Sequence, residues 1–148
     1  MKKKNKIKKI VIICNPKAGK KKKYQLINTV KEKLENDGIE VVIIFSHSPL
    51  DAKKIAIKYA SLEYIIVACG GDGHVNVLAE IAAKYNSIFG VIPAGSGNDF
   101  AKSLGIETLD DITSSLRNDN VKFIDLWEIN NRIFCSIANI GFSSYANK

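Results

Sequence analysis

Apolar positions along this chain switch repeatedly between two spacings. Ile7 to Cys14 is a β-branched run closed by Asn15-Pro16, which predicts a strand. Tyr24, Ile27, Val30 and Leu34 then recur at three and four, predicting a helix that stops near Asn36-Asp37-Gly38. Ile39 to Phe45 predicts a second strand. Ser48, Pro49 and Asp51 read as a cap, a first-turn proline and an acid three residues after the cap, with Ala52, Ile55, Ala56 and Tyr59 as the buried stripe. Tyr64 to Cys69 predicts a third strand. Val75, Leu78, Ile81, Ala82 and Tyr85 form the next helical stripe, and Ile88 to Ile92 a fourth strand ended by Pro93. A short helix over Asn98 to Leu104 follows, then one opened by Thr108 with Leu109, Ile112 and Leu116 on one face. Val121 to Ile129 and Arg132 to Ile140 read as two strands around Asn130-Asn131, a hairpin turn signal.

Strands alternating with helices predict an α/β fold: a three-layer domain with a parallel sheet between helices. The strands are near-continuous apolar runs, as strands covered on both faces should be. Ligands of such sheets gather at the carboxyl ends of the strands. Every Gly-rich segment falls there: Asn15-Pro16-Lys17-Ala18-Gly19, Gly70-Gly71-Asp72-Gly73, and Pro93-Ala94-Gly95-Ser96-Gly97-Asn98-Asp99. Glycine lets backbone N–H groups approach a ligand, and a helix start just beyond offers unpaired donors and partial positive charge. Three such loops on one rim predict a nucleotide phosphate site rather than three unliganded turns. Asp72 would repel phosphate. It reads instead as a holder of Mg²⁺, an acceptor that orients a loop N–H, or a partner for a sugar or water. Ser96 and Asn98 add neutral hydrogen-bonding groups. No G-x-x-x-x-G-K-S/T is present, and no G-x-G-x-x-G opens a helix after the first strand.

Composition narrows the classes. The chain has 148 residues, 46% of them apolar, enough for one domain with a real core. No apolar run has the roughly 18–20 residues of a membrane span, and Ile10 to Cys14 is short for a signal-peptide core. The expected setting is cytoplasmic. Cys14, Cys69 and Cys135 lie far apart without metal-ligand spacing and read as buried free thiols. The net charge is +7, much of it in Lys2 to Lys9 and in Lys20 to Lys23. These lysines read as a solvated tail and a lysine-rich helix start, or as a patch attracting phosphate or an anionic membrane. Nucleic acid is an unlikely partner, because no recognition motif accompanies them.

The three loops, with the continuation Asn98-Asp99-Phe100-Ala101, resemble those of the diacylglycerol kinase catalytic domain, a family that includes bacterial lipid kinases and sphingosine and ceramide kinases. The similarity runs across essentially the whole chain. It implies transfer of the γ-phosphoryl group of ATP to a lipid hydroxyl, with ATP and Mg²⁺ as cofactors and a lipid met peripherally at the inner membrane face. By resemblance, Gly70, Gly71, Asp72, Gly73, His74 and Asn76 would bind ATP, with Asn15, Pro16 and Gly19 lining the site. Ser46 and Ser96 would stand where the family has threonine, beside Gly95, Gly97 and Asn98. Asp72 is the expected catalytic residue.

Two positions depart from the family's usual GGDGT and following N-E. His74 replaces the threonine, as a tolerated change on an exposed turn or as an N–H donor to phosphate. Val77 replaces the glutamate. Family members usually have a second, mainly β domain that helps form the lipid cleft and supplies the proposed base. Residues 1–120 are therefore expected to form the ATP-binding domain, and 121–148 the start of a truncated β domain with an orphan hairpin. The alternatives are a non-catalytic nucleotide-binding fragment and an NAD kinase. The Asn98-Asp99-Phe100-Ala101 continuation argues against the latter. The particular lipid and the oligomeric state are not encoded in any motif.

Overall fold

The computed structural model describes residues 8–15, 21–118 and 121–135. Its main sheet is parallel and four-stranded. The strands are β1 (Lys9–Cys14), β2 (Glu40–Phe45), β3 (Ile65–Gly70) and β4 (Phe89–Pro93), in the order β2-β1-β3-β4. β1 is an interior strand, and its residues Ile10 to Cys14 have no exposed surface. That double burial is why the segment is an unbroken apolar run instead of an alternating one.

Between the strands run α1 (Lys21–Asn36), α2 (Pro49–Ser61) and α3 (Asp72–Lys84), followed by α4 (Asp99–Ser103) and α5 (Leu109–Arg117). From β1 the chain steps outward to β2, then returns past β1 to β3 and β4. Right-handed crossovers put α1 on one face and α2 and α3 on the other. The packing follows that division: α2 lies on α3, and α5 joins α1. Ile27, Val30 and Leu34 of α1 face the sheet opposite Ala52 and Ala56 of α2 and Leu78 of α3. The α/β class read from the pattern is the class observed.

The predicted helix starts hold in detail. Ser48 Oγ accepts the Asp51 N–H at 3.0 Å, ahead of Pro49. Thr108 and Asp111 form a reciprocal capping box on α5. Pro93 closes β4 as its last residue, in register with Gly70. A residue without an N–H is tolerated there because β4 is an edge strand.

The expected long final strands are shorter. β5 (Trp127–Ile129) and β6 (Arg132–Phe134) pair antiparallel as a separate two-stranded sheet. Asn130 and Asn131 have φ of 50° and 62°, the left-handed pair a two-residue hairpin turn requires. Residues 121–126 have no regular structure, and Phe123 is fully exposed. Among the described residues no strand pairs with them, so their β-rich composition has nothing to act on. Residues 136–140 lie outside the described residues.

Candidate functional site

The two described switch-side loops meet where β1 gives way to β3, the point at which strand order reverses. The ladder runs right to the rim: the Asn15 N–H donates to the Cys69 carbonyl at 3.1 Å, and the Ala94 N–H to Gly70 at 3.2 Å. Beyond it lies a cleft of about 490 Å³. Asn15 lines it from β1, Gly70 to Gly73 from β3 and α3, and Ala94 to Gly97 from the segment after β4. This volume falls in the range of small-molecule sites. Pro16 and Gly19 lie outside the described residues.

The glycines do two different jobs. A Cβ on Gly95 would fall 2.4 Å from the Gly71 Cα, so the second and third loops can touch backbone to backbone only as they are. A Cβ on Gly73 would meet nothing within 4 Å, because that position faces open space. Gly71 also caps α3 without a side chain, and the first intrahelical acceptor is its carbonyl, taken by the Val75 N–H at 3.0 Å. The N–H groups of Asp72, Gly73 and His74 are thus the orphan donors of this helix start, at the edge of the cleft.

Asp72 is tied into a neighbouring element. Its Oδ2 accepts from the Asp99 N–H and its Oδ1 from the Phe100 N–H, both at 3.1 Å. Of the roles the sequence left open, orienting loop N–H groups is the one with hydrogen bonds here. Asp72 caps α4 from outside, while the true N-cap residue, Asn98, sits at φ 58° and makes no capping bond. The Asn98 side chain folds back instead: Oδ1 accepts from the Gly95 N–H at 2.8 Å and Nδ2 donates to the Gly95 carbonyl at 2.9 Å. These two bonds fix the shape of the loop that carries the exposed Ser96.

His74 is neither on an exposed turn nor free to donate to a phosphate. Its Nε2 lies 2.9 Å from the Ile13 carbonyl. A carbonyl only accepts, so Nε2 carries the proton and Nδ1 holds a lone pair. Burial lowers the imidazole pKa; the Ile13 carbonyl opposes this, and the charge of Lys23 adds to it. The ring is neutral at pH 7. Ser46 is buried, with its Oγ donating to the Cys14 carbonyl at 3.2 Å, and does not line the cleft. Asn76 points elsewhere: its Oδ1 accepts from the Cys135 N–H at 3.1 Å and from the Cys135 thiol at 3.2 Å, fastening β6 to α3. Burial raises the Cys135 thiol to about 11.

Lys23 was hidden in the sequence by the run of lysines around it. It is partly buried and donates from Nζ to the Ala94 carbonyl at 2.7 Å. Burial lowers its pKa, opposed by Cys69 and Cys14. Those two thiols share a hydrogen bond beneath the cleft; that bond and then burial push Cys14 far up. All three cysteines are free thiols, as the sequence predicted, but Cys135 is half-buried where burial was expected. The overlooked signal was spacing: Lys23, Ile27, Val30 and Leu34 continue one helical stripe.

Among the described residues no helix is long and apolar enough to cross a membrane. No group of three or more His, Cys, Asp or Glu that could hold a metal ion occurs among them.

Comparison with known proteins agrees with this architecture. The chain is 33% identical over 135 residues to the diacylglycerol kinase of Bacillus subtilis (strain 168), covering 88% of this chain and 45% of that protein. It is 34% identical over 109 residues to sphingosine kinase B of Dictyostelium discoideum, covering 67% of this chain and 14% of that one. A crystal structure of a diacylglycerol kinase from Bacillus anthracis str. Sterne superposes with a TM-score of 0.77 at 24% identity, over 98% of this chain and 53% of that one, and shares the fold. The chain thus spans about half the length of the diacylglycerol kinases it matches. The family model described as the diacylglycerol kinase catalytic domain matches residues 9–129, and the chain belongs to that family.

Proposed function

We propose that this chain is the nucleotide-binding half of an ATP-dependent lipid kinase. The observation that carries the reading is the cleft at the carboxyl ends of β1, β3 and β4, with the uncapped start of α3 opening onto it. Its lining is mostly backbone, which suits phosphate oxygens that need N–H donors and close approach. In the reaction the lipid hydroxyl oxygen forms a bond to the γ-phosphorus of ATP, the bond from that phosphorus to the β–γ bridging oxygen breaks, and ADP leaves. Such a transfer depends on positioning and on neutralising charge. This chain's share is to hold the polyphosphate against α3 and to keep the third loop in place through Asp72 and Asn98.

Mg²⁺ fits this cleft only as a companion of the nucleotide. Asp72 is the one carboxylate among the described residues lining it, and α4 already engages both its oxygens. One carboxylate is no protein cage, but Mg²⁺ is ordinarily held by one or two carboxylates plus substrate phosphates. When bound, the ion would offset the charge of the transferring group.

The acceptor is a lipid with a free hydroxyl, met at a membrane surface. By the family resemblance, the base that takes its proton and most of the acyl-binding surface would come from a second, mainly β domain. The chain alone should therefore bind nucleotide better than it transfers phosphate. A second reading, a non-catalytic nucleotide-binding chain, rests on α4 already engaging both oxygens of Asp72, the one carboxylate of the described lining. Calorimetry with ATP, with and without Mg²⁺, tests the shared premise: micromolar to millimolar binding is expected, and no binding sinks both readings. Turnover on a panel of lipid alcohols, with a chain extended beyond Lys148, then separates them.

A further inference from the structure

Lys23 stands where an apolar residue belongs. It lies four residues before Ile27 on the buried side of α1, whereas Lys21 and Lys22 are exposed. Its stem runs along that side, and its ammonium reaches the Ala94 carbonyl, the first residue of the third loop and part of the cleft lining. The titratable groups around it are the thiols of Cys14 on β1 and Cys69 on β3 and the neutral imidazole of His74 on α3. The hydrogen bond from Cys14, helped by the charge of Lys23 and opposed by burial, holds the Cys69 thiol below its ordinary value, so the thiol pair offers Lys23 at most a partial counter-charge, and no carboxylate pairs with it among the described residues. An ammonium has three donors, and one is accounted for. A partly buried cation without a carboxylate partner is costly to maintain. The cleft beside it has the reverse deficit, since Asp72 is the only charged side chain among the described residues of its lining. A site for polyphosphate needs a cation within hydrogen-bonding reach.

We propose that Lys23 is the phosphate-contacting cation of the cleft, holding the third loop to α1 through Ala94 while offering its remaining N–H groups to a polyphosphate oxygen. This rests on the reading of the cleft as a nucleotide site and names the side chain that supplies its positive charge. Lys23→Met keeps the stem and removes the charge; Lys23→Arg keeps both.

The test is calorimetric titration of the 148-residue chain and both variants with ATP and with inorganic tripolyphosphate, alongside thermal melting. The expected result is tenfold or greater weakening of both ligands in Lys23→Met at a nearly unchanged melting temperature, with most of the affinity restored in Lys23→Arg. Wild-type affinity should also fall at alkaline pH, as the ammonium loses its proton, and the arginine variant should not follow. Unchanged affinity in Lys23→Met overturns the inference and leaves the nucleotide reading standing. So does equal weakening in both variants with lowered melting, which would make Lys23 a packing element. Binding of ATP without any binding of tripolyphosphate would also overturn the inference alone. A wild-type chain that binds neither ligand would remove the nucleotide reading together with it.

Discussion

The ring of His74 occupies the space that Gly70 leaves by having no side chain. A Cβ on Gly70 would fall 2.9 Å from both Cβ and Cδ2 of His74. The first glycine of the second loop is therefore matched to a side chain of its own chain. Gly70→Ala should destabilise the domain by about 1–3 kcal/mol, because the ring is pinned to the Ile13 carbonyl and cannot step aside without losing that bond. Urea denaturation of the two proteins checks this; equal midpoints would mean that the ring moves freely.

The same ring makes stability depend on pH. Burial holds the folded-state pKa of His74 below its ordinary value, so between the two values the unfolded chain binds more protons. The contribution is full above about pH 6.5 and is lost as pH falls toward and through the folded value. His74→Gln keeps an N–H donor for Ile13 and cannot titrate. Between pH 7 and pH 5 the wild-type melting temperature should fall further than that of the variant. Parallel curves would reject a buried neutral imidazole.

Asp72 should prove as important to α4 as to any ligand. Asp72→Asn retains one acceptor oxygen but turns an amide toward an N–H that now meets a carboxylate. The expected cost is about 1–2 kcal/mol of stability, and amide exchange at Asp99 and Phe100 should accelerate before global unfolding does. Exchange protection unchanged at both sites would remove Asp72 from the cap. Loss of turnover in an extended, active form would not by itself assign Asp72 to chemistry, because the displaced third loop would have the same effect.

Much of this organisation was legible in the sequence because it is local. Strand runs, the stripe on α3, the Ser48 cap and the Thr108–Asp111 box each depend on residues within a few positions of one another. Asn15 and the second and third rim loops could be located for the same reason. What the glycines make room for was not legible: Gly71–Gly95 is a tertiary contact, and the His74 ring is turned against Gly70 by its bond to Ile13, sixty-one residues away. Asn76 shows the limit most plainly. Its place in the second loop suggested a ligand, while its side chain serves Cys135, fifty-nine residues along the chain. Lys23 was not singled out: four consecutive lysines read as a solvated helix start or a phosphate-attracting patch, and only the helical phase of the last one points inward.

Gly73 separates the needs of the fold from those of a ligand. It is in the first turn of α3, and a Cβ there would have no neighbour within 4 Å. Folding alone should favour alanine at this position, which restricts the unfolded chain and raises stability by about 0.5 kcal/mol. A polyphosphate seated on the α3 N–H groups needs that space. Gly73→Ala should then melt slightly higher than wild type while binding ATP about tenfold more weakly. Higher melting with unchanged affinity would mean that the phosphate does not approach α3 at Gly73. Lower melting would mean that the space is already used by the protein, and the open cradle would have to be redrawn around Ala94 to Gly97.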